Sequence, residues 1–368
     1  MDRCISFFKN NVVMTIALLA AVLTGIIVPP DRQYITYFDF KTLTCLFCVL
    51  AVVCALKRIN FFYIMAYQVV QKFKTARKSV LALVYITFIG SMLIANDMAL
   101  LTFLPLGFIV LTSTHQEKYM TFTFIMQNIA ANLGGMLTPF GNPQNLYLYT
   151  KFGIPNMEFM GIMAVPFVLS IVLITVCCLV FVKSEEMNID GEKAELEPKR
   201  AILYLMLFIL SIAIVFRSIP YWIGLVIIPI VLLVFEREAL KMVDYPLLLT
   251  FVFFFIFSGN MARIGMVREF FSLLLEKSTL LFSILSCQVI SNVPSAILLS
   301  QFTDNYRELL IGVNIGGVGT LISSLASLIT FREYAKYNPS RTGYYVKQFS
   351  AFNFGFLIIL TTFMLLFI

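Results

Sequence analysis

The sequence predicts an all-α integral membrane protein built from two repeats of opposite orientation. Three observations predict this class: an apolar composition, a series of long uncharged segments, and short polar motifs that recur in the same order in both halves. Of the 368 residues, 60% are hydrophobic and 13% are charged. In soluble domains, roughly 45–50% of the residues are apolar and about 25% are charged. This number of charged residues is too small to cover the surface of a water-soluble protein of this size. We therefore expect a multi-pass protein of the cell membrane.

The uncharged segments predict about nine membrane crossings, because a helix needs about 20 apolar residues to span the hydrocarbon core. The predicted crossings are 11–30, 42–56, 119–150, 159–182, 201–216, 218–235, 245–262, 309–331 and 348–368. Of the 27 Lys and Arg residues, 19 fall on the side of the N-terminus and 8 on the other side. Since cytoplasmic loops are enriched in basic residues, this bias predicts a cytoplasmic N-terminus and an external C-terminus.

Two further apolar segments, 79–111 and 278–303, are predicted to be re-entrant hairpins. The first would measure about 50 Å as a single helix at 1.5 Å per residue. Polar tips interrupt both segments, Asn96-Asp97 in the first and Ser291-Asn292 in the second. Irregular backbone persists at membrane depth only where protein or a water-filled cavity satisfies its polar groups. The tips are therefore expected to face the protein interior.

Two of the crossings are predicted to be discontinuous helices, over 119–150 and 306–332. In the first, Asn132 is followed by Gly134 and Gly135, and Pro139 removes a backbone donor shortly afterwards. Paired glycines and proline disfavour a continuous helix. In the second discontinuous helix, residues 314–327 likewise begin with Asn314 and paired glycines. We expect the breaks at 132–145 and 314–327.

The polar motifs of the first half recur in the second half. The matching pairs are Asn132–Thr138 with Asn314–Thr320, Ile94–Asn96 with Ile290–Asn292, and Asp39 and Arg58 with Asp244 and Arg263. They predict a first repeat over 1–182, a linker with a linking helix over 183–217, and a second repeat over 218–368. Five crossings precede the second repeat, and this odd number makes the repeats face opposite ways. Inverted repeats with interrupted helices near the midplane are typical of secondary transporters.

The tips and breaks are predicted to form one site. Half-helix N-termini carry about +0.5 charge and free N–H donors, which favour an anion, while helix C-termini and loop carbonyls favour Na⁺. The candidate substrate-binding residues are Asn96, Ser291, Asn292, Thr138, Asn142, Thr320 and Ser324. The candidate ion-coupling residues are Asp97, Asn96, Asn132, Gly135, Asn292, Asn314 and Gly317. The alternative is that these residues cap interrupted helices and hold neighbouring helices together.

Asp97 is the only carboxylate within a long apolar segment. A membrane-embedded acid is costly and usually functional. We expect Asp97 to bind Na⁺ or to exchange a proton, with capping of the second hairpin helix as the alternative role. Asp39 and Asp244 are predicted to cap the helices that follow them. Arg58 and Arg263 are predicted to extend to the membrane interface.

No cofactor other than Na⁺ is expected. Cys45 and Cys48 form a C-x-x-C motif, but no second pair supports a metal site and His115 is the only histidine. No arrangement of a nucleophile with a base, or of paired acids, occurs within the spans, so we expect no enzyme. The net charge of +7 arises from loops, and no span combines a basic face with residues that read nucleic acid.

These motifs resemble those of the ion transporter superfamily, which includes arsenite permeases, NhaD-type Na⁺/H⁺ antiporters, citrate permeases and divalent anion:sodium symporters. The resembling segments are Ile94–Asp97, Ser291–Pro294, Asn132–Asn145 and Asn314–Gly317. The resemblance implies one hairpin and one broken helix per half, an elevator movement and a homodimer. In the divalent-anion members it implies Ser-Asn-Thr tips where Na⁺ and a carboxylate meet. Here only the Asn occurs at both tips, a pattern closer to the arsenite and antiporter branch.

The expected function is ion-coupled transport of a small anion, a carboxylate or an oxyanion, driven by Na⁺ or H⁺. The solute would bind near the midplane between the hairpin tips and the broken helices. The alternatives are cation/proton antiport through Asp97, arsenite efflux and a passive channel.

Overall fold

The computed structural model describes residues 11–186 and 196–367. Within these ranges the chain is helical, without β-strands apart from an isolated bridge between Thr75 and Glu186. The α-helices of the described residues are α1 (Val12–Ile27), α2 (Phe40–Arg58), α3 (Phe61–Val70), α4 (Ala76–Ile94), α5 (Asn96–Ser113), α6 (Met120–Gly134), α7 (Pro143–Lys151), α8 (Asn156–Phe181), α9 (Pro198–Val215), α10 (Tyr221–Phe235), α11 (Arg237–Lys241), α12 (Tyr245–Arg263), α13 (Gly265–Lys277), α14 (Thr279–Ile290), α15 (Asn292–Leu299), α16 (Tyr306–Ile315), α17 (Leu325–Tyr337) and α18 (Thr342–Phe367). Residues 1–10, much of the predicted linker (187–195) and residue 368 lie outside the described residues.

Seven helices of the described chain are long and apolar enough to cross a membrane. They are α2, α4, α5, α8, α9, α12 and the C-terminal helix. The helices thus differ from the nine predicted crossings: α1 and α10 are shorter, with 16 and 15 residues, and two predicted crossings are interrupted. Conversely α4 and α5, the arms of the first predicted hairpin, have 19 and 18 residues. Each arm therefore extends about 28 Å, close to the full hydrocarbon thickness.

Two aspartates begin the helices that match in sequence between the halves. Asp39 Oδ1 accepts the N–H of Thr42 at 2.9 Å, and Asp244 Oδ1 accepts the N–H of Leu247 at 2.9 Å. Each carboxylate satisfies a first-turn donor that has no partner within the helix. The helices that follow, α2 and α12, both have 19 residues. The predicted capping roles of Asp39 and Asp244 are confirmed.

The arginines at the ends of these two helices form ion pairs. Arg58 Nε lies 3.4 Å from Glu236 Oε1, and Glu236 is buried. Arg263 Nη2 lies 2.8 Å from Asp31 Oδ2. The sequence predicts that these arginines extend to the interface, and it does not indicate either acidic partner, because both partners are distant in sequence.

The helices pack in two groups. The scaffold group consists of α1, α2, α9, α10 and α12, in which α1 packs against α12 and α2 packs against α9 and α10. The core group consists of α4–α8 and α14–α18, in which α4 packs against α5 and α6, and α14 against α15 and α16. The groups meet where α15 contacts α12 and α7 contacts α2. All the predicted tips and breaks lie in the core group.

The first helices of the two hairpins begin near opposite ends of α8. At the start of α8, Glu158 Oε1 accepts a hydrogen bond from the hydroxyl of Tyr306, the first residue of α16 (2.8 Å). The first turn of α14 lies beside α16, because a carboxylate of α16 accepts the N–H of Leu280 (2.9 Å). At the end of α8, the carbonyl of Val182 accepts a hydrogen bond from Arg77 in the first turn of α4 (2.7 Å). Since α8 has 26 residues, these ends are about 39 Å apart.

The first break lies later in the chain than predicted. Helix α6 continues through Gly134, and a 3₁₀ turn over Gly135–Leu137 ends it. A Cβ on Gly134 would lie 2.2 Å from the carbonyl oxygen of Phe88. This glycine therefore permits close packing of α4 on α6 and does not interrupt the helix. Similarly, α16 includes Asn314 and ends at Ile315.

Candidate functional site

The two hairpin tips share one strained backbone conformation. Ala95 joins α4 to α5 with φ 62° and ψ 150°, and Ser291 joins α14 to α15 with φ 74° and ψ 160°. This region is almost exclusive to glycine, and other residues in it cost about 1–3 kcal/mol each. The next residue in each tip is Asn, whose Oδ1 accepts the N–H of the residue after it at 2.9 Å. The same turn therefore presents Asn96 and Asn292.

Substituting Ala95 by glycine is expected to stabilise the protein. Glycine adopts positive φ freely, so the substitution should relieve strain and raise the free energy of unfolding by about 1 kcal/mol. The matched control is Ala82→Gly in the middle of α4, where glycine should lower that free energy by about 1 kcal/mol. Thermal unfolding of the purified variants measures both changes. A lower stability of Ala95→Gly would contradict the strained tip.

Side chains within each break satisfy its backbone carbonyls. In the first break, Asn145 Nδ2 lies 3.2, 3.2 and 3.4 Å from the carbonyl oxygens of Gly135, Met136 and Thr138. In the second, the hydroxyl of Ser323 lies 2.9 and 2.8 Å from two loop carbonyl oxygens. Buried loops of this kind persist only when their polar groups have partners. The backbone of both breaks is therefore stabilised by side chains of the same break.

Carboxamide side chains join the two breaks to each other. Asn142 Nδ2 lies 3.2 Å from Asn314 Oδ1, and Gln144 Nε2 lies 3.4 Å from the same oxygen. In the opposite direction, Asn314 Nδ2 donates to Asn145 Oδ1 at 2.6 Å. All four residues are buried. The breaks are therefore in direct contact, although about 170 residues separate them in sequence.

Both tips also lie beside the breaks, at the last turn of α6 and at Gly317. Asn96 Nδ2 donates to Asn132 Oδ1 at 3.2 Å. A Cβ on Gly317 would lie 3.1 Å from Asn292 Nδ2 and 3.7 Å from Asn132 Oδ1. The absence of a side chain at Gly317 thus leaves room for both carboxamides. Asn96, Asn132, Asn292 and Gly317, all predicted site residues, are brought together in a buried cluster.

The first break is also close-packed around Gly135. A Cβ there would lie 2.4 Å from Asn142 Oδ1. Asn142 Nδ2 lies 3.2 Å from the carbonyl oxygen of Asn132. Gly135 therefore allows Asn142 to fold back onto α6, and only glycine fits this position without displacing the carboxamide.

The two predicted threonines bind equivalent backbone carbonyls. Thr138 Oγ1 donates to the carbonyl of Met92 (2.8 Å), and Thr320 Oγ1 donates to that of Gln288 (3.1 Å). Each carbonyl belongs to the residue three positions before the strained tip residue. The hydroxyls thus fasten each break to the first arm of its hairpin. Ser324 Oγ accepts the N–H of Ser327 at 3.2 Å and caps α17. A part in substrate binding stays a prediction for these residues.

Two glutamines outside the predicted site residues stabilise the same region. Gln288 Oε1 accepts the N–H of Thr320 at 2.9 Å, and its Nε2 donates to the carbonyl of Gly316 at 2.9 Å. Gln127 Nε2 lies 3.0 Å from the carbonyl oxygen of Phe103, across the first hairpin. The sequence feature that indicates such residues is an amide side chain in an apolar segment, one or two helical turns from a predicted tip or break.

Asp97 lies at the second position of α5, next to the first tip. Its Oδ1 is buried and has no hydrogen-bond partner among the described residues. The capping alternative is not observed for Asp97, because no hydrogen bond joins its side chain to a backbone N–H of α5 among the described residues. A buried acceptor without a donor calls for an explanation such as a bound ion or a proton. Asn142 Oδ1 and Gln144 Oε1 are also buried acceptors without a hydrogen-bond partner among the described residues.

The apolar helices and the buried polar cluster between interrupted helices define the chain as a multi-pass membrane transporter. Residues 5–306 match the citrate transporter family, CitMHS. The chain therefore belongs to this family, which confirms the resemblance to the ion transporter superfamily. The family is one of transporters and not of enzymes, and the chain is a multi-pass protein of the cell membrane.

Three relatives are similar to this chain. An uncharacterized transporter of Methanocaldococcus jannaschii, MJ0456, is 33% identical over 313 residues, which are 84% of this chain and 85% of the relative. The inner membrane protein YbiR of Escherichia coli K12 is 29% identical over 300 residues, or 80% of each chain. The putative transporter arsB of Dictyostelium discoideum is 29% identical over 107 residues, which are 29% of this chain and 18% of that protein.

Proposed function

We propose that the chain is a secondary transporter that couples the movement of a small anion, a carboxylate or an oxyanion, to Na⁺ or H⁺. The observation that carries this proposal is the buried cluster in which both strained tips meet both helix breaks. Asn132 and Asn292 lie beside Gly317 there, Asn96 donates to Asn132, and Asn314 joins the two breaks. No basic residue occurs in the tips or breaks themselves. The anion would be held by amide donors and helix N-termini.

The proposed topology consists of two inverted repeats, 1–182 and 218–368, joined by α9. Their hairpins would be re-entrant, with the N-terminus in the cytoplasm and the C-terminus outside. Three observations support this arrangement: the hairpins begin near opposite ends of α8, the tip residues share one backbone conformation, and Thr138 and Thr320 bind equivalent carbonyls.

The chemistry of the cluster supports an anionic solute. Four helices, α5, α7, α15 and α17, begin at the tips and breaks. Helix N-termini favour anions through their aligned peptide dipoles and N–H groups. The carboxamides of Asn96 and Asn292 add donors that can point towards a carboxylate or oxyanion. Neutral donors can bind and release the solute without the strong retention that a buried cation would impose.

The unpaired acceptor oxygens support coupling to a cation. Asp97 Oδ1, Asn142 Oδ1 and Gln144 Oε1 are buried without donors among the described residues. Carboxylate and amide oxygens are hard ligands suited to Na⁺, and a carboxylate can alternatively take up a proton. Alternating access would follow from movement of the core group against the scaffold group, and the protein would act as a homodimer.

Transport by purified protein in proteoliposomes tests this function. A thermal-stability panel of carboxylates and oxyanions, with and without Na⁺ at two pH values, identifies the anion that stabilises the protein most. Uptake of that anion should then depend on an imposed Na⁺ or pH gradient. Uptake that ignores both gradients would indicate a passive channel and contradict the proposal.

Substituting Asp97 by asparagine should remove the ion dependence of uptake. Coupling between sites is commonly about 5- to 150-fold, so we expect the stimulation by Na⁺ or by a pH gradient to fall from that range to none. The matched control is Glu269→Gln, an exposed acid of α13, which should retain full stimulation. Persistence of ion stimulation in Asp97→Asn would exclude Asp97 as the coupling residue.

A second candidate function is cation/proton antiport, favoured by the unpaired carboxylate of Asp97. In that case Asp97→Asn should abolish pH-dependent Na⁺ exchange, and no anion should be taken up. Anion uptake that survives in Asp97→Asn would count against antiport. Arsenite efflux is a further candidate, since one relative is a putative transporter named arsB. Efflux of arsenite from loaded vesicles tests it.

A further inference from the structure

A large cavity lies between the scaffold group and the core group at one end of the bundle. Its volume is about 900 Å³, which is within the usual range for small-molecule sites. Its walls come from the loop before α2, the first turn of α2, the end of α7, the end of α12 and the start of α13. Gln301, two residues after the end of α15, completes the lining. In the topology proposed above this end faces the outside.

The lining of this cavity is strongly basic. It contains Lys41, Lys151, Arg263 and Arg268 but only one acid, Asp39, so four positive charges face one negative charge. The carboxylate of Asp39 caps α2 through its Oδ1 and keeps its negative charge. The formal charge of the lining is therefore +3, and low-dielectric walls concentrate the field of such a cleft.

Among the described residues, one of these four bases is in an ion pair and the other three are not. Arg263 is paired with Asp31 at 2.8 Å, and hydrogen bonding to this guanidinium lowers the pKa of the Asp31 carboxyl in the external loop. By contrast, Lys41, Lys151 and Arg268 form no ion pair within the described chain. Uncompensated like charges around one cavity repel each other and favour a multiply charged anion between them.

The unpaired bases come from both groups of helices. Lys41 lies in the first turn of α2 in the scaffold group, whereas Lys151 ends α7 in the core group. Lys151 Nζ lies 5.8 Å from the ring centroid of Tyr147, a neighbour in the lining. Gln301 Nε2 lies 3.4 Å from the hydroxyl of that tyrosine. Polar side chains thus accompany the charges and can orient a bound solute.

We infer that this cavity is a separate binding site for compact anions of two or more charges, which captures the solute before it enters the asparagine cluster. The inference rests on the proposed anion transport. Such an anion could be a soluble polycarboxylate, or the same oxyanion chemistry could come from an anionic lipid headgroup. A singly charged anion balances only one of the three free bases, so the cavity selects multivalent anions.

Equilibrium binding of citrate to the purified full chain tests this site. The test variants are Lys41→Gln, Lys151→Gln and Arg268→Gln. The matched control is Arg32→Gln, an exposed base in the loop before α2 that does not line the cavity. Each test variant should weaken citrate binding about tenfold, because it removes one nearby charge. Arg32→Gln should bind like the wild type, and Lys151→Arg should restore binding.

The same measurement in the Asn96→Ala/Asn292→Ala background separates this site from the proposed transport site. Citrate should still bind there, with acetate much weaker, and the binding should weaken as salt concentration rises. Loss of transport with retained citrate binding thus supports a separate cavity site. Equal affinity for citrate and acetate, or citrate affinities unchanged in all three test variants, would overturn the inference.

Nanodiscs distinguish the two sources of the anion. In phosphatidylcholine nanodiscs, citrate should bind as in detergent. Addition of cardiolipin, whose headgroup carries two phosphates, should leave the citrate affinity unchanged if the cavity takes soluble anions. Competition by cardiolipin that disappears in Lys151→Gln would instead assign the cavity to a lipid headgroup and overturn the capture of a soluble solute.

Discussion

Replacement of Asn96 or Asn292 by alanine is expected to slow ion-coupled uptake strongly. Asn96 Nδ2 donates to Asn132 Oδ1 at 3.2 Å, and Asn292 Nδ2 faces the open position at Gly317. Each substitution removes donors for the solute, and Asn96→Ala also removes the hydrogen-bond partner of the buried Asn132 Oδ1. Loss of one such buried hydrogen bond costs about 1–3 kcal/mol, so we expect a decrease of the initial uptake rate of about tenfold to hundredfold.

The matched control for these substitutions is Asn353→Ala. Asn353 is a buried asparagine of α18, whose Nδ2 donates to the carbonyl of Phe349 in its own helix at 2.9 Å. It lies outside the tips and breaks, so its loss should leave uptake per folded molecule unchanged. Uptake is measured in proteoliposomes and normalised to reconstituted protein. Wild-type rates in both tip variants, or an equal loss in Asn353→Ala, would contradict the assigned site.

Substitution of Gly134 by alanine should produce the largest loss of stability. Its Cβ would lie 2.2 Å from the carbonyl oxygen of Phe88 and 2.7 Å from Ser91 Oγ. A backbone oxygen cannot rotate away as a side chain can, so α4 and α6 must separate. Overpacking of this kind typically costs about 1–3 kcal/mol and occasionally more. We expect a loss of about 3 kcal/mol and poor accumulation of the protein in membranes.

The control for this substitution is Gly161→Ala in α8. Apart from its own turns of α8, no described atom lies within 4 Å of the position its Cβ would take, and alanine favours a helix over glycine by about 1 kcal/mol. Gly161→Ala should therefore be neutral or stabilising. Fluorescence-detected size-exclusion chromatography after heating compares the two variants. A Gly134→Ala protein as heat-resistant as the control would show that the helices can separate without cost.

Local sequence features predict much of the architecture because membrane-embedded polar residues are rare. Asn96, Asn292 and the polar segments after Asn132 and Asn314 interrupt apolar segments, and a helix end occurs at or near each of them. Asp39 and Asp244 have the predicted capping bonds. In each case the decisive interaction lies within a few residues along the chain, where sequence patterns are informative.

Long-range packing accounts for what the sequence does not predict. The role of Gly134 depends on Phe88, and the contact of Asn145 with Asn314 joins breaks that no local pattern connects. Helix length does not distinguish the two topologies, because α4 and α5 are each as long as a crossing helix and are joined only through Ala95. Distinguishing an arm of a hairpin from a crossing helix requires knowing the position of the tip in space.

The most direct test of the central claim is a cryo-electron microscopy map of the protein in nanodiscs, with Na⁺ and the anion that stabilises it most. We predict ligand density between the carboxamides of Asn96 and Asn292, within hydrogen-bonding distance of both. The opposite result would be a map in which the two asparagines lie far apart, or both face lipid with no aqueous space between them.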